Sequence, residues 1–190
     1  MRKFFTEREI LDLTVSVIIV SLIFHYSKIV EFKQAILVTV FSFLLHEVMH
    51  KFAAKKFSCT SVYKIYPIGL AIGVVLMFFG IVFVMPGVVE IYPYKYGRWG
   101  FKVVSLTIDE MGYIAIAGIV SNMGVALISK LLSLYWPFFN ILYEINAIIT
   151  FFNMLPIPKS DGSRIIEANS GFWVILFIVS LFMIADVFLI

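Results

Sequence analysis

His46-Glu47-Val48-Met49-His50 carries the clearest chemistry in this chain. On a helix the two histidines stand one turn apart on the same face, so both imidazoles can reach one tetrahedral ion while Glu47 projects beside them toward a bound water. That is an arrangement for metal-assisted hydrolysis. Two histidines do not complete a zinc site, because a third protein ligand is needed, with a fourth position left open if the metal is catalytic. Of the four aspartates, Asp161 alone follows an apolar run through a helix-breaking segment, Asn153-Met154-Leu155-Pro156-Ile157-Pro158-Lys159-Ser160-Asp161-Gly162. The prolines end the helix and force extended backbone, and Gly162 permits a sharp return, so Asp161 is the best candidate for the third ligand.

The chain that must position these groups is strongly apolar. Hydrophobic residues make up 62% against 14% charged, with a mean hydropathy of +1.01, outside the balance of soluble domains. The expected class is an all-α polytopic membrane protein of about five to six transmembrane helices, because several separate apolar runs have spanning length and no soluble domain is left over. Residues 1–190 therefore read as a single integral membrane domain. The spans are Ile10 to Phe24, Ala35 to Phe57, Met111 to Leu134, Phe138 to Leu155 and Phe172 to Ile190. Glu7, Glu9 and Asp12 interrupt the entry to the first, and no small-residue cleavage site follows, which argues against a removed signal peptide. Arg2, Lys3 and Arg8 put the N-terminus on the cytoplasmic side of the cell membrane, and Lys51, Lys55 and Lys56 do the same for the end of the second span. Since His50 to Lys55 covers about 7 Å of helix rise, the metal is expected just below the membrane surface on the inner side. The net charge of +3 is scattered and better explained by loop positions than by nucleic-acid binding, and the lone Cys59 excludes an internal disulfide.

Topology constrains the apolar run from Ile68 to Met85. The histidines lie near the inner end of an inward-going span, and Asp161 must reach the same depth at the end of another, so the crossings between them must be even in number. Met111 to Leu134 and Phe138 to Leu155 already supply two. The segment around 61–100 is therefore expected to be re-entrant or a β-hairpin, in keeping with Gly69, Gly73, Gly80, its Val and Ile content, and the Pro86-Gly87 turn. An exposed strand edge there could pair with an unwound peptide.

Polar residues in these spans are costly and fall at helical spacing in two places: Thr39, Ser42, His46 and His50, and Asn146, Thr150 and Asn153. The two stripes should face each other or a water-filled cavity. For Thr39, Ser42 and Thr150 the plain role is hydrogen bonding between helices, worth about 1 kcal/mol per contact. His25 reads as interfacial, Glu144 as an interfacial or hydrogen-bonded carboxylate rather than a proton relay, and Lys130 as a snorkelling lysine near the outer end of its span. Tyr92, Tyr94, Tyr96 and Trp99 read as an interface belt.

Taken together, His46-Glu47-Val48-Met49-His50, Gly118-Ile119-Val120-Ser121-Asn122 and the Asn153 to Gly162 segment resemble the three signature motifs of the site-2 protease family of intramembrane zinc metalloproteases. They occur in the same order and on separate spans, and the likeness is to a minimal prokaryotic or archaeal form without a PDZ domain. The resemblance covers the second span through the post-proline loop and implies a catalytic core at about residues 33–165. It implies zinc as cofactor with His46, His50 and Asp161 as ligands, Glu47 as general base, and Asn153 as a polar group near the scissile carbonyl that donates to the developing oxyanion. Asn122 would be a core-lining residue on the substrate side. Where the family carries a bulky apolar residue before its Asp-Gly pair, this chain has Ser160. The implied partners are transmembrane segments of other membrane proteins, cleaved within or near the bilayer after local unwinding. Two alternatives share the same residues: a membrane transporter or ion-binding protein using the His/Asp cluster, and a non-catalytic member of the family that binds transmembrane helices.

Overall fold

Thr6 opens the first helix, α1 (Glu7–Tyr26), through a capping box: its hydroxyl accepts from the Glu9 N–H while the Glu9 carboxylate accepts from the Thr6 N–H. In the computed structural model, which describes residues 4–28, 30–92, 94–97, 100–103 and 106–189, the chain then enters α2 (Phe32–Thr39) and passes through a π turn at Val40–Leu44. It continues without a break as α3 (Leu45–Lys56). A π turn adds one residue to the helical register and is common at functional sites. Here it directly precedes the histidine motif, and Thr39, Ser42, His46 and His50 are all buried.

A strand–helix–strand return follows. β1 (Thr60–Ile65) leads into α4 (Pro67–Met77), with proline in its first turn, where its missing N–H costs nothing. Extended chain then runs back to β2 (Gly87–Tyr92), which pairs antiparallel with β1 in a register that sets Thr60 opposite Tyr92 and Ile65 opposite Gly87. The chain thus comes back to where it left. A Cβ on Gly73 would lie 2.7 Å from the Phe83 carbonyl oxygen, so its absence lets α4 lie against its own return strand. The apolar run from Ile68 to Met85 is accordingly half helix and half extended chain, with the strands outside it. Tyr94–Gly97 (β3) and Gly100–Val103 (β4) form a second small hairpin. The side chains of residues 93–105 lie outside the described set, as do Arg2 and Lys3, so the aromatic belt beyond Tyr92 falls there too.

Thr107 and Glu110 repeat the capping box at the head of α5 (Ile108–Leu132), the central helix, which packs against α3, α6 (Phe138–Met154) and α7 (Asp161–Ala168). α8 (Ser170–Leu189) closes the order and packs on α6 and α7. Four helices, Glu7–Tyr26, Phe32–Lys56, Ile108–Leu132 and Ser170–Leu189, are long and apolar enough to cross a bilayer, while α4 and α6 are shorter apolar helices. Large apolar side chains face outward along them, Phe182 and Leu127 among others, as a lipid-facing surface requires and a water-facing one does not tolerate.

Two features of this frame were expected in a different form. Lys130 does not merely snorkel: its ammonium pairs with Asp186 at 2.5 Å and stands over the Tyr143 ring, tying α5 to α8 and α6. Glu9 is buried with Lys51 in an ion pair of 2.5 Å, rather than only interrupting the first span. Lys51 also donates to the Ser61 carbonyl, and Glu9 accepts from the Tyr63 N–H, so one pair binds the start of α1, the end of α3 and the outer edge of β1.

Candidate metal centre

The two histidines reach the centre from α3, one turn apart, and their rings meet edge to face. His50 Nδ1 is satisfied by the Ile114 carbonyl of α5 at 2.8 Å, which turns its Nε2 inward. That is the outer-shell contact that fixes the orientation of a metal-binding imidazole. α5 comes this close because of Gly118: a Cβ there would lie 2.7 Å from His46 Cε1 and would overlap the His50 ring. No larger residue fits.

Asp161 arrives from the opposite side. α6 ends at Met154, Leu155 is extended, and the chain turns at Lys159, whose φ of 74° is left-handed. Ser160 then caps α7: its hydroxyl accepts from the Ser163 N–H at 3.1 Å and donates to the Leu155 carbonyl at 2.6 Å. Ser160 is thus the residue that starts the helix bearing Asp161. Gly162 acts differently from expectation, since it sits within α7 and the sharp turn falls at Lys159. It is required for close approach, because a Cβ there would lie 2.8 Å from the Leu155 carbonyl oxygen and closer still to that of Met154.

His46 Nε2, His50 Nε2 and Asp161 Oδ2 form a buried triangle with sides of 2.9, 3.0 and 3.1 Å. Tetrahedral zinc with bonds of about 2.0–2.1 Å holds its ligand atoms about 3.3 Å apart, so the three atoms fit that ion with shifts of a few tenths of an ångström. Asp161 Oδ2 has no aligned hydrogen bond despite this proximity, and with the two imidazole nitrogens it could hold a metal ion. A carboxylate with two neutral imidazoles is a donor set that zinc takes.

Glu47 is 7% exposed, its Oε2 has no hydrogen-bond partner, and it lines a cavity of about 20 Å³ together with His46, His50, Asn153 and Asp161. That space holds about one water. Asn153 Nδ2 donates to its own helix, to the Ile149 carbonyl at 3.0 Å. The two polar stripes do meet, at Asn146 Nδ2, which donates to Ser42 Oγ at 2.8 Å, whereas Thr39 is bonded by Ser21 of α1. Asn122 is fully buried with both side-chain polar atoms unpartnered, and neither it nor Glu144 lines the cavity. His25 is exposed, far from the centre, bonded to the Val30 carbonyl and packed edge-on against Tyr26 and Phe32.

The cavity has further walls that the sequence pattern did not single out: Gly87, Val88 and Val89 of β2, and the cations Lys159 and Arg164. Arg164 follows Asp161 by three residues on α7, a spacing that puts both on one face and could have flagged it. A protein of Methanocaldococcus jannaschii carrying the name "Putative zinc metalloprotease" is 35% identical over 182 residues, covering 90% of this chain and 90% of its own. No family model and no solved structure matches.

Proposed function

The chain belongs to the family of that zinc metalloprotease, and from this premise we propose that it is an intramembrane protease of the site-2 type, hydrolysing peptide bonds within or near transmembrane segments of other membrane proteins. The observation that carries the proposal is the buried triangle of His46, His50 and Asp161 with Glu47 beside it, set near the end of an apolar helix of spanning length. Zinc bound there supplies Lewis acidity toward the scissile carbonyl and acidifies water. Glu47, with an unpartnered oxygen on a cavity of water size, accepts the proton as general base and returns it to the leaving amine. Asn153 lines the same cavity, and once its Nδ2 turns from the Ile149 carbonyl it can donate to a developing oxyanion, where one donor is worth about 3 kcal/mol in other hydrolases.

The fold also supports the topology this chemistry needs. With α6 counted as a fifth span, and the strand–helix–strand return from 60 to 92 entering and leaving on one side, His46 and Asp161 come to the same depth. The exposed Lys55 and Lys56 beyond the histidines support a site on the cytoplasmic side. A substrate helix hides its carbonyls in its own hydrogen bonds and must unwind before attack. The outer edge of β2, which forms one wall of the cavity, offers backbone groups to which an unwound segment can bond.

The test is cleavage, in detergent or vesicles, of transmembrane peptides carrying a central Gly-Pro or Asn-Pro. Wild type is expected to cut them, a zinc chelator to stop the reaction and zinc to restore it, and Glu47→Gln to lower the rate by about a hundredfold or more. Activity in Glu47→Gln at the wild-type rate would refute the assignment, and stiff polyleucine segments cut equally well would remove the unwinding step.

A further inference from the structure

The two edges of the β1–β2 ribbon have different fates. In an antiparallel pair, alternate residues turn both backbone groups toward the partner strand or both away from it. Tyr63 and Val89 sit opposite each other, and each turns away: the Tyr63 N–H goes to Glu9 at 3.0 Å, and the Val89 carbonyl goes to an Arg164 side-chain nitrogen at 3.2 Å. The outer edge of β1 is closed by the buried Glu9–Lys51 pair, which also takes the Ser61 carbonyl. The outer edge of β2 carries no strand among the described residues and faces the metal ligands. At Val89, which is 4% exposed, a single side chain shuts it.

That side chain has a second place to go. The other terminal nitrogen of Arg164 lies 3.9 Å from Asp161 Oδ1, the carboxylate oxygen turned away from the histidines, too long for a hydrogen bond but within reach of a small rotation. Arg164 is also 19% exposed, so water reaches the guanidinium as it moves. A planar fork of five donors suits such an exchange between two acceptors.

We propose that Arg164 is a latch on the open edge of β2, occupying the Val89 carbonyl that an extended substrate backbone must take, and is thereby a positioning residue that sets substrate affinity. Substrate entry exchanges the guanidinium bond at Val89 for a substrate N–H, and Arg164 turns to Asp161 Oδ1. The proposal rests on the peptidase reading, and its own signature is an improvement in binding when Arg164 is removed. Loss of fold cannot produce that.

The experiment measures binding of a fluorescent transmembrane peptide with a central Gly-Pro to Glu47→Gln protein, with and without Arg164→Met, alongside KM for cleavage in the Glu47 background. Arg164→Met is expected to tighten Kd and lower KM about tenfold, equivalent to about 1.4 kcal/mol. Peptides in which single backbone N–H groups are replaced by ester oxygens should identify one position that weakens binding to wild-type and Glu47→Gln protein and cancels the gain from Arg164→Met. Unchanged or weaker binding in Arg164→Met, or no such position in the ester series, overturns the latch. Wild type that binds the peptide and does not cut it sinks the peptidase reading, whereas cleavage with an Arg164→Met Kd equal to that of the parent sinks the latch alone.

Discussion

Gly118→Ala places the smallest possible perturbation against the metal ligands. The added methyl carbon would lie 2.7 Å from His46 Cε1, where ordinary contact begins at 3.4 Å, and it overlaps the His50 ring as well. To clear it the His50 ring must retreat by roughly 1 Å and the His46 ring by roughly 0.7 Å, or α5 by the larger of the two, against a tolerance of about 0.2 Å in zinc–ligand distances. α5 cannot withdraw freely, because its Ile114 carbonyl holds His50 Nδ1 at 2.8 Å. Disturbing the outer shell of a zinc site alone lowers metal affinity about 10- to 100-fold, and displacement of a ligand ring should cost at least that, about 1.4–2.8 kcal/mol. The assay is zinc retained per chain against a graded chelator, paired with Gly124→Ala on the same helix, where a Cβ meets nothing within 4 Å. The control should bind zinc as wild type does and unfold no more easily, since alanine favours a helix over glycine by about 1 kcal/mol. Wild-type zinc affinity in Gly118→Ala would refute the claim that α5 shapes the site by close approach.

Two further outcomes follow from the ion pairs. Lys51→Met leaves Glu9 buried and unpaired and should destabilise the fold by about 3–5 kcal/mol, while Glu9→Gln combined with Lys51→Met should cost less than Lys51→Met alone; denaturant or thermal unfolding in detergent reads both, and additive losses would count against a coupled pair. The Lys130–Asp186 pair is about two-fifths exposed at each partner, so Asp186→Asn should shift stability by less than about 1 kcal/mol and leave zinc content unchanged, with a larger loss showing that the pair holds α8 in place.

The motif residues were legible because their chemistry has few other uses in an apolar chain. A histidine pair one turn apart at lipid depth has no cheap packing role, and Asp161 stood out as the one aspartate that follows an apolar run through a helix-breaking segment; the structure brings the three side chains together. The parity of crossings pointed to a return in the 61–100 segment, and β1 and β2 do pair. Its interior was less legible, because Pro67 to Met77 is rich in Val, Ile and Gly yet helical, with protein contacts overriding local preference. The task given to Gly162 falls to Lys159, since a left-handed residue can be any type the fold forces and glycine has other uses. The Glu9–Lys51 pair and the Arg164–Val89 bond were hidden for a simpler reason: 42 and 75 residues separate the partners, and no local pattern reports such a meeting.

The most direct test of the metal centre is elemental analysis of purified wild-type, Glu47→Gln and Asp161→Ala protein, which needs no knowledge of the substrate. About one zinc per chain in wild type and Glu47→Gln, with loss in Asp161→Ala, is the predicted result, because the general base is not a ligand and a catalytic site needs three. Zinc that ignores Asp161→Ala, or is absent from carefully prepared wild type, would contradict the ligand assignment and with it the account of hydrolysis.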